Sequence, residues 1–131
     1  MTVERELAGC VALVTGSARN IGRAIALALA DAGAAVMVTG RQALADAETV
    51  AAEIQHGGGR ATAMTADIGD PAAVAALVAA TVERLGRLDV LVNNAGVRRE
   101  VAFADLDYAE WRAVLASTLD GAYLCSRAAL P

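Results

Sequence analysis

The 131-residue chain contains no lysine: all 11 of its basic residues are arginine. No side chain can therefore act as an ammonium beside another titrating group. Cysteine is scarce too, with only Cys10 and Cys125. They lie at no metal-like spacing and among apolar neighbours, so reduced, buried thiols in a cytoplasmic protein are expected. No apolar run reaches the ~18 residues of a membrane span, and Met1–Arg5 is not followed by the apolar core of a secretory leader. A basic stripe is also missing. The net charge is -4 and the arginines are scattered, which argues against a nucleic-acid partner. What is present is 56% hydrophobic and 20% charged residues, the composition of a soluble globular chain with a real core.

The apolar residues come in a regular order. Residues 10–14 form a short apolar run of the kind buried on both faces of a sheet. A glycine turn follows, then Ile21, Ile25 and Leu29 at helical spacing, with Gly33 as the stop. A second strand is expected over 35–38, and a second helix on Leu44, Ala47, Ala51 and Ile54. A third strand is expected over 61–66. Asp70 and Pro71 then open a third helix as cap and first residue, with Val74, Leu77, Val78, Val82 and Leu85 facing inward. Residues 88–92 make a fourth strand, and Tyr108–Pro131 reads as one long helix. Alternating strands and helices with wholly apolar strands imply an α/β fold, a parallel sheet covered on both faces. No linker interrupts it, so residues 1–131 are expected to form a single domain.

The first turn, "TGSARNIG" at residues 15–22, asks for a ligand. Gly16 lets the strand reverse, and Gly22 leaves room above the helix N-terminus, whose amides and dipole favour phosphate. Its position at a strand C-terminus is where open α/β sheets bind ligands. The acidic residue that usually holds the ribose of NAD is absent at the end of the second strand. Thr39-Gly40-Arg41 stands there instead, and Arg19 lies in the turn itself. Two guanidiniums suit a 2′-phosphate, through forked hydrogen bonds. The competing expectation is a plain βα turn with two solvated arginines.

Together with "ADIGD" at 66–70 and "DVLVNNAG" at 89–96, the turn resembles the short-chain dehydrogenase/reductase family. The motifs fall in the right order at the ends of strands one, three and four, over essentially the whole chain. The resemblance implies a Rossmann-type doubly wound sheet of strand order 3-2-1-4-5-6-7, here truncated after the fourth strand and the following long helix. It implies an NAD(P)-binding domain incomplete at its C-terminus. Gly16, Asn20 and Gly22 match the glycine motif, with asparagine where the family more often has glycine, and Ser17 and Ile21 of the same turn join the expected cofactor-binding residues. Asp67 and Ile68 match the pair that holds adenine, the first through its carboxylate and the second through its backbone. Asn94, Ala95 and Gly96 match the segment that stabilises the sheet and passes beside the cofactor. With Arg19 and Arg41, these twelve residues are the expected cofactor-binding set, and NADP(H) is expected over NAD(H).

Two departures bear on activity. The family's Asn-Leu-x-Gly, whose asparagine supports a proton relay, corresponds here to Thr118-Leu119-Asp120-Gly121. The resemblance also implies a serine and then a Tyr-x-x-x-Lys further along, with the lysine lowering a tyrosine pKa from about 10. This chain has no such pair. Tyr108 and Tyr123 each have an arginine four residues on, as ordinary helical neighbours do, and no catalytic residue is assigned. The chain is thus expected to be the cofactor-binding half of an NADP(H)-dependent oxidoreductase, inactive by itself. The intact protein is expected to be a homo-oligomer moving hydride between nicotinamide and a small carbonyl or alcohol. The alternative is a non-catalytic dinucleotide-binding or interaction module.

Overall fold

The computed structural model describes residues 5–131. Residues 1–4 of the N-terminal stretch discussed above therefore lie outside the described residues. The order is β1 (Val11–Val14), α1 (Asn20–Asp31), β2 (Ala35–Gly40), α2 (Leu44–His56), β3 (Ala61–Thr65), α3 (Pro71–Leu85) and β4 (Val90–Val92). A short 3-10 turn at Phe103–Asp105 then leads to α4 (Tyr108–Leu115) and α5 (Gly121–Ala129), joined by a π-helical turn over Ala116–Asp120.

All four strands are parallel, in the order β3-β2-β1-β4. This is the Rossmann-type α/β architecture implied by the motifs. Each buried strand sends alternate side chains to opposite layers, as the two-residue period requires. Val14, Val36 and Val38 pack with Ala26 of α1 and with Ala47, Val50 and Ile54 of α2. Val11, Leu13, Ala35 and Met37 pack on the other face with Leu77 and Leu85 of α3. Cys125 of α5 closes a third cluster with Ile68 and Val74. Burial raises its thiol pKa. Cys10, expected to be buried, is only half-buried, because β1 begins one residue later.

The elements differ from the sequence expectations where alanine blurs the helical period. Val82 of α3 is exposed, and Thr81 is fully buried in its place. That hydroxyl is tolerated inside because it donates to the Leu77 carbonyl at 2.8 Å. Leu44 and Ile21, the latter 71% exposed, also lie outside the core, since each sits in a first turn that projects beyond the sheet. The β3 strand stops at Thr65, and β4 is only three residues long. Leu88 precedes it as irregular chain. The long final helix ends at Ala129, where Leu130 turns extended ahead of Pro131.

At the N-terminal end of β1, one carboxylate replaces a ladder partner. The Val11 amide donates to Asp89 Oδ2 at 2.8 Å, and the Asp89 amide returns a bond to the Val11 carbonyl at 2.9 Å. Arg87 completes the arrangement through Asp89 Oδ1 at 2.9 Å. The Val11 amide, and secondarily Arg87, hold the Asp89 carboxyl below the usual carboxylate range.

Candidate functional site

At the other end of the sheet, the C-terminal ends of β1, β2, β3 and β4 converge on a cleft of about 820 Å³. Such a volume lies within the range of cofactor and small-molecule sites.

Its floor is the first turn. Gly16 has φ +63°, and Asn20 has φ +54°, a left-handed backbone that asparagine tolerates better than most side chains. Gly22 is required by contact rather than by backbone angle. A Cβ there would collide with the Gly16 carbonyl oxygen and approach Asn94 Nδ2 to 2.5 Å. The turn and the first residues of α1 are thus packed against each other with no room for a side chain between them.

The end of β4 locks this turn in place. The Asn94 side chain donates to the carbonyls of Thr15 (3.1 Å) and Gly16 (3.2 Å). Thr15 Oγ1 accepts from the amides of Asn94 (3.0 Å) and Ala95 (2.9 Å). Ser17 does the equivalent work towards β2: its hydroxyl donates to the Val14 carbonyl at 2.7 Å and accepts from the Thr39 amide at 2.9 Å.

The α1 N-terminus faces the cleft without a cap. Arg19, at the N-cap, makes no side-chain capping bond, and no acidic residue occupies the first turn. The first amides of a helix have no carbonyl partners of their own, so this end retains donors and partial positive charge. Arg19 lines the same cleft, as does Arg41 from the end of β2. Arg41 Nη2 lies 3.9 Å from Asp67 Oδ2, and both side chains remain more than half exposed (61% and 53%). Asp67 also accepts from the Gly69 amide at 3.0 Å. The Ile68 side chain is buried against Val74 and Cys125, which leaves mainly its backbone to face the cleft.

Eleven of the twelve residues expected from the sequence therefore line one cavity: Gly16, Arg19, Asn20, Ile21 and Gly22, Arg41, Asp67 and Ile68, and Asn94, Ala95 and Gly96. Ser17 is the exception. It is fully buried, and its hydroxyl is engaged in holding the turn. The cleft also brings in residues that sequence reasoning missed, among them Thr39, Gln42, Asp46, Val97, Arg98 and Ser117. Nothing local in the sequence marked Asp46 or Ser117 as residues of the cleft. Tyr108 and Tyr123 stay outside, 75% and 61% exposed. The Thr118 hydroxyl oxygen would lie 3.4 Å from a Cβ at Gly96, so the position in question does adjoin the β4 end of the site.

Residues 10–131 match the short chain dehydrogenase family. The chain belongs to that family. A 3-oxoacyl-(acyl-carrier-protein) reductase of Synechocystis sp. is 42% identical over 118 residues, which cover 90% of this chain and 48% of that protein. A dehydrogenase/reductase of Sinorhizobium meliloti superposes with a TM-score of 0.93 at 40% identity, covering 96% of this chain and 50% of the other. A short chain dehydrogenase of Burkholderia cenocepacia, solved in complex with NADP, gives 0.91 at 42% identity over 95% and 51% of the two chains. The chain spans about half the length of the relatives it matches. Short chain dehydrogenases are oxidoreductases that bind a nicotinamide cofactor. In this member no described helix is long and apolar enough to cross a membrane.

Proposed function

We propose that this chain is the cofactor-binding half of an NADP(H)-dependent oxidoreductase. Residues 1–131 form its single, C-terminally incomplete nucleotide-binding domain. The observation that carries the reading is the pairing of an uncapped, acid-free α1 N-terminus with Arg19 and Arg41 in one cleft. A nicotinamide dinucleotide supplies the hydride. The α1 amides would hold its pyrophosphate, and Arg19 and Arg41 would hold the 2′-phosphate. Asp67 and the Ile68 backbone would receive adenine. Asn94, Ala95 and Gly96 would border the cofactor where the end of β4 meets the turn. No lysine is present to lower a tyrosine pKa, so these residues alone would bind cofactor without turning over a carbonyl or alcohol. The intact protein is proposed to do so as a cytoplasmic homo-oligomer.

Calorimetric titration of the chain with NADP+ and NAD+ tests the proposal. Because Arg41 is more than half exposed, screening reduces its contribution, and a preference of about tenfold, ~1.4 kcal/mol, is expected. Equal affinities or a preference for NAD+ would defeat it. In a separate assay, the chain should not oxidise NADPH in the presence of aldehydes or ketones; turnover would show that a proton donor exists outside the family pattern.

A further inference from the structure

The cleft contains an acidic group that the NADP(H) reading does not use. Resting on that reading, we propose that Asp46 is a specificity-determining residue: it opposes the 2′-phosphate and limits the preference for NADP(H).

Asp46 lines the same cleft as Arg41, and reaches it from the α2 N-terminus that directly follows Arg41, Gln42 and Ala43. It is the third residue of α2 and the one acidic residue of its first turn. Ala43, at the N-cap, has no side-chain oxygen to offer, and no capping bond forms there. The carboxylate of Asp46 is therefore the chain's own anion at a helix end that otherwise favours negative charge. Among the described residues it has no ion pair or side-chain hydrogen bond. The carboxylate near Arg41 is that of Asp67, so Asp46 is not neutralised by that guanidinium.

Charge accounting makes the consequence plain. The cleft is lined by three arginines, Arg19, Arg41 and Arg98, and by two aspartates, Asp46 and Asp67. A 2′-phosphate entering beside Arg41 meets a wall whose positive charge is largely offset. Like charges in a partly solvated cleft repel modestly. The 2′-hydroxyl of NAD+ carries no charge and is indifferent to this repulsion, whereas the pyrophosphate is common to both cofactors and cancels in their ratio.

The test is calorimetry of the full chain with NADP+ and NAD+, before and after Asp46→Asn, with Asp46→Ser as a second, smaller neutral substitution. Circular dichroism melts identify which variants are folded. Neutralising Asp46 should tighten NADP+ by about three- to tenfold, equivalent to ~0.7–1.4 kcal/mol, and leave NAD+ unchanged or weaker. The gain should shrink as salt rises. Glu48→Gln makes the same change in net charge outside the cleft and should leave the ratio as it was. An unchanged NADP+/NAD+ ratio in the folded Asp46 variants, or the same shift in Glu48→Gln, overturns the proposal. If the unsubstituted chain prefers NADP+ but the ratio ignores Asp46, only this inference fails. If the unsubstituted chain shows no preference and Asp46→Asn creates one, the inference stands and the stated preference fails. Absence of binding to either cofactor defeats both.

Discussion

The α1 and α3 helices begin in opposite ways. The first turn of α3 is closed from within: Asp70 accepts from the Ala72 amide at 3.0 Å, and Pro71 contributes no amide at all. The α4 helix is closed likewise, with Asp107 accepting from the Glu110 amide at 2.8 Å. The α1 helix has neither a cap nor an acid in its first turn, and its open end meets the cleft. A missing cap forgoes about 1 kcal/mol of helix stability. The contrast shows how a fold can close some helix ends internally, as at α3 and α4, and leave the α1 end available for an anion.

The strongest way to break this contrast is to remove the space on which the open end depends. Gly22→Val would drive side-chain carbons into the Gly16 carbonyl and the Asn94 amide. We expect a loss of roughly 3 kcal/mol or more in urea denaturation, the range of severe overpacking, and no measurable cofactor binding. Near-native stability with binding retained would show that the turn can part from α1.

A second substitution would convert α1 into a helix like α3. Arg19→Asp supplies a capping carboxylate and removes a cation from the cleft. Thermal or urea unfolding should show a gain of about 0.5–1 kcal/mol, while NADP+ affinity falls by about tenfold or more. A loss of affinity without any stability gain would mean that Arg19, not the open helix end, is what the cofactor needs.

The reverse change at α3 should separate stability from binding. Asp70→Ala should cost about 1 kcal/mol and leave the NADP+ dissociation constant within twofold, because Asp70 does not line the cleft. Weakened binding at unchanged stability would contradict the division of roles drawn above.

The smallest effect is expected at Asp89, which satisfies the Val11 amide much as Asp70 satisfies α3. Its pKa is lowered in the fold. Its contribution is therefore complete above the ordinary carboxylate value of about 4 and is lost as pH falls through the lowered folded value. Asp89→Asn should reduce the urea midpoint at pH 7 and lessen its decline on acidification below about pH 4. Parallel pH profiles for the two proteins would remove Asp89 from the account.

Much of this arrangement could be read from residue order, for a physical reason. Strands buried on both faces must be continuously apolar, so β1 and β2 announced themselves, and glycines mark where backbone meets backbone. The turn, Asp67-Ile68 and Asn94–Gly96 follow directly after their strands, and parallel strands deliver all such ends to one side. Asp46 and Ser117 resisted this logic because they do not directly follow a strand: Asp46 lies in the first turn of α2 and Ser117 in the π-helical turn between α4 and α5. Ser17 adjoins residues of the cleft, yet its hydroxyl points back into the sheet. In α3, the apolar pattern pointed to Val82 as an inward residue, whereas packing selected Thr81.

The Asn94 clamp has a thermodynamic corollary. Because that side chain bonds the carbonyls of Thr15 and Gly16, the turn keeps its shape only while β4 remains docked beside β1. A ligand that requires the shaped turn therefore binds the assembled sheet and not the open chain. Its occupancy must then raise the free energy of unfolding by RT ln(1 + [L]/Kd), about 2.7 kcal/mol at a hundredfold excess over Kd. On the proposed reading, the free cofactor concentration would thereby set part of the folding equilibrium of this polypeptide.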